Sequence, residues 1–199
     1  MKIEEVKKKT KKRISAIYDC FKSGYIEESL ILLYSTIDSI SWLYSTETNI
    51  DNRKTGHDFL EFSKKYYLPC LTGYDISAEE LYLARCSVVH TSSSLARNQK
   101  QNRQFQYSNS EDNRKAQDNI SKLVCNTCIS INVKDLILAL EFSTENFFDS
   151  LSINKINEID KKTENWYVDC NCITFIKKNH TKHWFFNTCM VFRLWCRWT

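Results

Sequence analysis

Arg85 and His90 form an Arg-x4-His motif in the stretch RCSVVH. Histidine titrates near neutral pH, so His90 has the chemistry to take a proton from a ribose 2′-hydroxyl or to give one to a leaving oxygen. Arginine binds phosphate bidentately and stabilises the charge that develops on it. Together these two side chains suit cleavage of an RNA backbone without a metal ion.

The spacing of the motif limits how its two side chains can meet. Residues five apart on a regular α-helix lie about 140° apart around the axis, so Arg85 and His90 do not converge on one straight helix. Convergence needs the helix to end or bulge before His90, or a symmetric dimer whose two motifs face each other. The alternative is a surface arginine beside a helix-terminal histidine, where a cationic imidazole suits the dipole. Asp38, on another predicted helix, either pairs with Arg85 or faces water.

Composition and apolar periodicity predict a mainly α fold around this motif. The chain has 199 residues but only 3 glycines and 1 proline, which favours long helices over turn-rich β structure. Apolar residues spaced by three and four are typical of helices that bury one face. Gly24 predicts a short connection and hence an antiparallel hairpin of the first two helices, and Ser77 with Glu80 forms a capping box. The predicted helices are Ile3–Lys22, Ile26–Tyr44, His57–Tyr67, Ser77–His90 and Val133–Leu151, the last capped by Asn132.

A small β insert and an irregular tail are expected outside these helices. The stretch Arg97–Gln117 is polar and predicted to be a loop that contains a short strand, Gln104–Ser108. The segment Leu123–Ile131 is rich in β-branched residues and can pair with that strand. Lys155–Asn165 is charged and typical of a linker, and the segment after it is dense in aromatic residues and cysteines without a clear period. The predicted organisation is a helical domain, residues 1–151, and a C-terminal extension, residues 152–199.

The order of these elements resembles the HEPN superfamily, named for higher eukaryotes and prokaryotes nucleotide-binding domains. The signature of that family is Arg-x4-6-His on the third main helix of a four- to five-helix bundle. The stretch LYLARCSVVH, from Leu81 to His90, is similar to a bacterial subgroup that carries Leu-Tyr-x-x-Arg-Cys-x-x-x-His at this place. In that subgroup a two-stranded insert and a closing helix follow. The resemblance covers about Lys2 to Leu151.

The resemblance implies a HEPN-like helical bundle that acts as a metal-independent RNA endonuclease, with Arg85 holding phosphate and His90 as general acid or base. Many HEPN proteins are dimeric ribonucleases of toxin–antitoxin, CRISPR and anti-phage defence systems, so a homodimer with an antitoxin or defence partner is implied. Exposed site residues contribute little to stability, so replacing either should leave the fold intact.

Some HEPN proteins are not catalytic, and two positions of this chain differ from common forms of the motif. Active members often have Asn, Asp or His where this chain has Cys86. Members that a partner nucleotidyltransferase modifies have Tyr where this chain has Ser92. The alternative function is therefore a non-catalytic HEPN bundle that binds a protein, a nucleotide or a nucleic acid.

Two groups of basic residues have the charge to guide RNA. Between Lys7 and Arg13 only Thr10 is uncharged, and such a run attracts phosphates, although a solvated helix face is the alternative. The second group follows the motif and is interleaved with amides and aromatic residues, a pattern that suits single-stranded nucleic acid or a mobile polar loop. The predicted RNA-binding residues are Lys8, Lys11, Lys12, Arg97, Lys100 and Arg103.

The nine cysteines raise a zinc hypothesis that their spacing does not favour. The candidate pairs match no standard finger, so free thiols are expected, with no metal or other cofactor. A zinc-stabilised interaction module built on the tail is a third possibility. The candidate zinc-binding pairs are Cys125 and Cys128, Cys170 and Cys172, and His180 and His183.

No phosphate-binding Gly-rich loop, secretory signal or membrane span is visible in the sequence, so we expect a cytoplasmic protein with no membrane partner.

Overall fold

The computed structural model describes residues 3–47, 49, 52–91, 104–109 and 128–164. Within these ranges the protein is mainly α-helical with one two-stranded sheet, which confirms the predicted fold class at that level. The chain divides into a unit Met1–Tyr167 and a unit Val168–Thr199. The second unit, which holds most of the predicted irregular tail, lies outside the described residues. Across the described helices, none is both long and apolar enough to cross a membrane.

The first two helices form a hairpin with the predicted bounds, α1 over Ile3–Lys22 and α2 over Ile26–Tyr44. Gly24 joins them with a φ of +82°, a left-handed conformation that glycine adopts without steric cost. The hydroxyl of Ser29 donates to the carbonyl oxygen of Ile17 next to the turn. Because α2 packs against most of the other helices of the bundle, it forms the centre of the core. Its buried apolar residues are Leu30, Leu33, Tyr34, Ile37, Ile40, Trp42 and Leu43.

The predicted helix His57–Tyr67 is wrong in its detail. Helix α3 spans Thr55–Phe62, a π-helical turn follows over Ser63–Tyr67, and a 3-10 turn covers Leu68–Cys70 with its proline. A π-helical turn keeps the backbone helical but shifts its register, so the apolar periodicity does not distinguish it from a continuing α-helix.

Helix α4, which carries the motif, spans Ala78–Thr91 and starts at the predicted capping box. The backbone N–H of Ser77 donates to Glu80 Oε2 at 2.9 Å, and the N–H of Glu80 donates to Ser77 Oγ at 3.1 Å. These two bonds satisfy two N–H groups that a helix start otherwise leaves without partners. Helix α4 packs against α2 and α3. Its buried apolar residues are Ala78, Leu81, Ala84 and Val88.

The predicted β insert is present as two parallel strands. Strand β1 has the predicted bounds, Gln104–Ser108, and strand β2 spans Cys128–Asn132, with Gln104 opposite Cys128. The predicted partner segment Leu123–Ile131 is thus a strand from Cys128 onwards, and its first five residues lie outside the described ranges. Tyr107 of β1 is tied to α2 by a hydrogen bond of 2.9 Å between its hydroxyl and that of Tyr34.

The closing helix α5 spans Val133–Asp149 and follows β2 without a break. Asn132 is its N-cap, as predicted, because its Oδ1 accepts the backbone N–H of Lys134 at 2.8 Å. The helix ends two residues before the predicted Leu151. It packs against α1, α2 and the π-helical turn. Its buried apolar residues are Val133, Leu136, Ile137, Ala139, Leu140, Phe147 and Phe148.

The interpretation of Lys155–Asn165 as a linker is wrong. A sixth helix, α6, spans Ile153–Glu164 and buries Ile159 and Thr163. It also buries Lys162, which binds carbonyl oxygens at the end of α2. A charged composition suggested a solvated segment, but the buried face of this helix is made largely of polar residues that find partners, a pattern that apolar periodicity does not register.

Candidate functional site

Arg85 is bound to Asp38 across the contact between α4 and α2. Its Nε donates to Asp38 Oδ2 at 2.9 Å, and its Nη2 donates to the same oxygen at 2.5 Å. The side chain of Arg85 is 11% exposed and that of Asp38 is 13% exposed. The sequence left open whether Asp38 pairs with Arg85 or faces water, and the structure shows that the two residues pair.

This ion pair corrects the expectation that Arg85 is an exposed residue. Burial acts to lower the pKa of Arg85, but the charge and hydrogen bonds of Asp38 outweigh it, so the pKa lies above its ordinary value. Removing one partner of a buried pair leaves the other charge without its counterion, which is strongly destabilising. Arg85 therefore contributes to the stability of the fold as well as to any chemistry.

A second arginine lies against the same aspartate. Arg53, which precedes α3, donates from Nη2 to the carbonyl oxygen of Asp38 at 2.7 Å. Its Nε lies 3.8 Å from Asp58 Oδ2, and its guanidinium lies 5.6 Å from the ring centroid of Trp42. Burial is the main cause of the lowered pKa of Arg53, while the two aspartates oppose that change. Asp38 thus joins two arginines, one through its carboxylate and one through its backbone.

The neighbour of Arg85 on the helix, Cys86, is a half-buried free thiol. The Nη1 atom of Arg85 lies 3.9 Å from Cys86 Sγ. Burial, followed by the interaction with Cys86, raises the pKa of Tyr82. Tyr82 also lies over Gly56, where an added Cβ would come within 3.0 Å of the phenol oxygen. Gly56 therefore lets α3 approach α4 closely beside Arg85.

The other half of the motif, His90, lies near the end of α4, and its side chain is outside the described part of the structure. The backbone is α-helical through Thr91, with neither an end nor a bulge before His90. Positions 85 and 90 are therefore about 140° apart around the helix axis. The route to convergence that depends on a break in the helix is absent, which leaves a facing second copy as the remaining route.

Three of the predicted RNA-binding lysines lie on a different helix from Arg85. Lys8, Lys11 and Lys12 are exposed on α1, which packs against α2 and α5, whereas α4 packs against α2 and α3. Lys11 Nζ lies 3.8 Å from Glu145 Oε1 in a solvent-exposed pair. The other three predicted contacts, Arg97, Lys100 and Arg103, lie outside the described residues.

Several residues around Arg85 were not found by sequence reasoning. Arg53 follows α2 in a polar loop, and nothing in its spacing distinguishes it from a solvated side chain. Asp58 lies in α3 and is buried, although its residue type predicts exposure. Trp42 is buried, and the cations over its ring come from outside α2: Arg53 from the loop that follows it and Lys162 from α6.

No group of three or more histidines, cysteines, aspartates or glutamates in the described ranges is arranged to hold a metal ion. Of the candidate zinc ligands, Cys128 is described, as a half-buried free thiol in β2. The remaining five, Cys125, Cys170, Cys172, His180 and His183, lie outside the described residues. Comparisons of the chain with protein-family models, with curated proteins and with solved structures gave no match.

Proposed function

We propose that this protein is a metal-independent RNA endonuclease of the HEPN type, active as a homodimer. The observation that carries the proposal is the Arg85 guanidinium, which two hydrogen bonds to Asp38 fix on a capped helix within the Arg-x4-His motif. Electrostatic catalysis depends on charges that are already oriented before the reaction begins. A guanidinium held in one plane by a carboxylate meets that requirement better than one on a mobile side chain.

In this proposal Arg85 binds the scissile phosphate. A guanidinium carries its N–H donors in a planar fork that matches the geometry of phosphate oxygens. Asp38 has a cost as well as a benefit, because it neutralises part of the positive charge that attracts the phosphate. Asp38 orients the guanidinium of Arg85 and is therefore a positioning residue.

His90 moves the protons. As a base it takes the proton of the ribose 2′-hydroxyl while the 2′-oxygen forms a bond to phosphorus and the bond from phosphorus to the 5′-oxygen breaks. The leaving 5′-oxygen takes a proton from a second imidazole, His90 of the facing copy. The products are a 2′,3′-cyclic phosphate and a 5′-hydroxyl, with no oxidant, metal or cofactor consumed. The symmetric dimer supplies the second histidine that one straight helix does not.

The exposed lysines of α1, Lys8, Lys11 and Lys12, attract the RNA rather than act on it. Exposed cations contribute through long-range attraction to phosphates, which depends on salt and not on the RNA sequence. Such attraction suits residues that lie apart from the reacting groups. In the biological setting that the motif implies, the partner is an antitoxin or another defence protein, and the enzyme acts in the cytoplasm.

One observation favours the alternative, a non-catalytic bundle that binds a protein, a nucleotide or a nucleic acid. Arg85 is largely buried and bound to Asp38, which is also the arrangement expected of an ion pair whose role is structural. The two functions differ in the role of His90, because a structural pair between Arg85 and Asp38 has no use for it.

The test is to incubate the purified protein with mixed RNA in EDTA and to compare the wild type with His90→Ala. His57→Ala is the matched control, because the side chain of His57 is 69% exposed and lies on α3. We expect the wild type and His57→Ala to cleave RNA equally and His90→Ala to be inactive. RNA that is bound but left intact by the wild type would favour the non-catalytic bundle.

A further inference from the structure

The C-terminal end of α2 is capped by lysines that belong to α6. Helix α2 has no basic residue in its own last turn. Instead, Lys155 Nζ donates to the carbonyl oxygen of Ser45 at 2.7 Å, and Lys162 Nζ donates to the carbonyl oxygens of Trp42, at 2.8 Å, and of Ser45. Cations at a helix C-terminus interact favourably with its dipole and its unpaired carbonyl groups. Two turns of α6 thus close the end of α2.

Lys162 is the more deeply buried of the two lysines. The residue is 5% exposed, and its Nζ lies 4.5 Å from the ring centroid of Trp42. Burial and then the positive charge of Lys155 lower the pKa of Lys162 to about 8. Ile159, one turn earlier on the same face, is fully buried. The docking of α6 therefore depends on carbonyl oxygens and an aromatic ring at the end of α2.

The ring of Trp42 also connects Lys162 to the candidate site. Arg53 lies over the same ring and donates to the backbone of Asp38, whose carboxylate binds Arg85. Each neighbouring pair in this series is in direct contact. The series therefore runs from α6, through Trp42 and Arg53, to Asp38 and Arg85.

We propose that α6 is a latch on the end of α2 whose docking sets the position of Arg85 through Trp42, Arg53 and Asp38. When Lys155 and Lys162 release α2, the Trp42 ring loses its contact with Lys162 and becomes freer to move. Arg53, which packs on that ring, then shifts, and the Asp38–Arg85 pair loosens. The latch makes the proposed ribonuclease site dependent on the segment that leads into the C-terminal unit. In that respect the inference rests on the proposed function, although the coupling itself is a property of the fold.

The coupling can be measured without RNA, by the solvent exchange rate of the Arg85 Nε–H proton in NMR spectra. The test variant is Lys162→Glu, which places a carboxylate against two carbonyl oxygens. The matched control is Lys161→Glu, the same charge change on the exposed face of α6. We expect exchange about tenfold faster or more in Lys162→Glu and within about twofold of the wild type in Lys161→Glu, since local opening exposes buried donors.

A milder variant keeps the test decisive if Lys162→Glu prevents folding, which circular dichroism would reveal. Lys155→Gln removes a charge and weakens one of the three capping bonds, so it should speed exchange at Arg85 Nε and in the α6 amides by a smaller factor. Coupling is reciprocal, so Asp38→Asn should in turn speed exchange of the α6 amides. Variants that release α6 while Arg85 exchange stays unchanged would overturn the latch, as would equal effects from Lys161→Glu or no effect of Lys155→Gln on either site. Failure of RNA cleavage would leave these results unaffected.

Discussion

The two groups of cations expected to meet RNA differ in burial. Arg85 is 11% exposed and fixed by Asp38, whereas Lys8, Lys11 and Lys12 are exposed on α1. A charge taken out of water needs a counterion and therefore becomes fixed, while an exposed charge keeps its hydration and its freedom. The difference in burial fits the two roles predicted for them, phosphate binding at the reacting bond by Arg85 and attraction of RNA by the lysines. A fixed guanidinium can stabilise developing charge, and mobile lysines can raise the local concentration of RNA.

The largest effect expected from this comparison concerns cleavage by Arg85→Lys. Lysine keeps the positive charge and can still pair with Asp38, but it lacks the planar fork that binds a phosphate oxygen in a fixed orientation. We expect kcat/KM for RNA in EDTA to fall about 10²–10³-fold, the usual cost of losing an oriented donor. Activity within a few-fold of the wild type would mean that Arg85 supplies charge alone, as the α1 lysines do.

The next effect is on stability and distinguishes Arg85 from an exposed residue. Arg85→Ala leaves the buried carboxylate of Asp38 without its guanidinium, so we expect the free energy of unfolding in urea to fall by about 2–4 kcal/mol. Adding Asp38→Asn should restore part of that loss, because the asparagine carries no charge. A loss below about 0.5 kcal/mol, typical of surface substitutions, would show that the pair is not structural.

Lys162 extends the comparison between buried and exposed cations, since it is a buried cation held by carbonyl oxygens rather than by a carboxylate. Its pKa in the folded protein is about 8, below the ordinary 10.5, owing first to burial and then to Lys155, with Arg53 acting in the same direction and Asp58 and Glu158 opposing. The charged form is therefore penalised in the folded state, and between pH 8 and 10.5 the unfolded state binds more protons. Stability should consequently rise with pH in that window.

The contribution of Lys162 is isolated by subtracting the unfolding free energy of Lys162→Gln, in which other titrating groups are retained. From about pH 7.5 to about pH 9.5 the wild type should gain on the order of 2 kcal/mol relative to this variant. A difference that stays constant with pH would mean that Lys162 is not buried as a cation. If the wild type instead lost stability relative to Lys162→Gln as the pH rises, folding would raise the pKa of Lys162. That result would contradict the burial of Lys162 at the end of α2.

The smallest effect expected is that of Lys8→Gln, Lys11→Gln and Lys12→Gln combined. These residues are exposed, so unfolding should change by no more than about 0.5 kcal/mol. RNA binding should weaken, and the slope of log K against log salt should decrease by about 2, because three phosphate contacts on single-stranded RNA are lost. An unchanged slope would remove the α1 lysines from the RNA surface and leave a solvated helix face.

Local signals predicted much of the fold. Gly24 marks the turn between α1 and α2, and Ser77 with Glu80 and Asn132 mark two helix starts. Each of these signals depends on residues within a few positions of one another. The confirmed elements are therefore those that neighbouring residues specify.

The remainder depends on partners that are distant along the chain. Helix α6 buries Lys162 because carbonyl oxygens of α2, about 120 residues earlier, accept its hydrogen bonds. The pairing of Asp38 with Arg85 depends on how α2 and α4 pack, which no local pattern specifies. The partners of Arg53, Trp42 and Asp38, are nearer along the chain, but only the packing of the fold brings them into contact. Polar residues with distant partners resemble solvated ones in a sequence, so that is where the predictions failed.

The proposed chemistry is tested most directly by a deoxyribose oligonucleotide that contains one ribonucleotide, incubated with the wild-type protein in EDTA. Attack by the 2′-hydroxyl predicts a single cut, on the 3′ side of that ribonucleotide, and a 2′,3′-cyclic phosphate in the mass spectrum of the product. Because the all-deoxy strand lacks the nucleophile, it should stay intact. Cleavage of the all-deoxy strand, a product that ends in a 5′-phosphate, or no cut in a strand that the protein binds would contradict the roles assigned to Arg85 and His90.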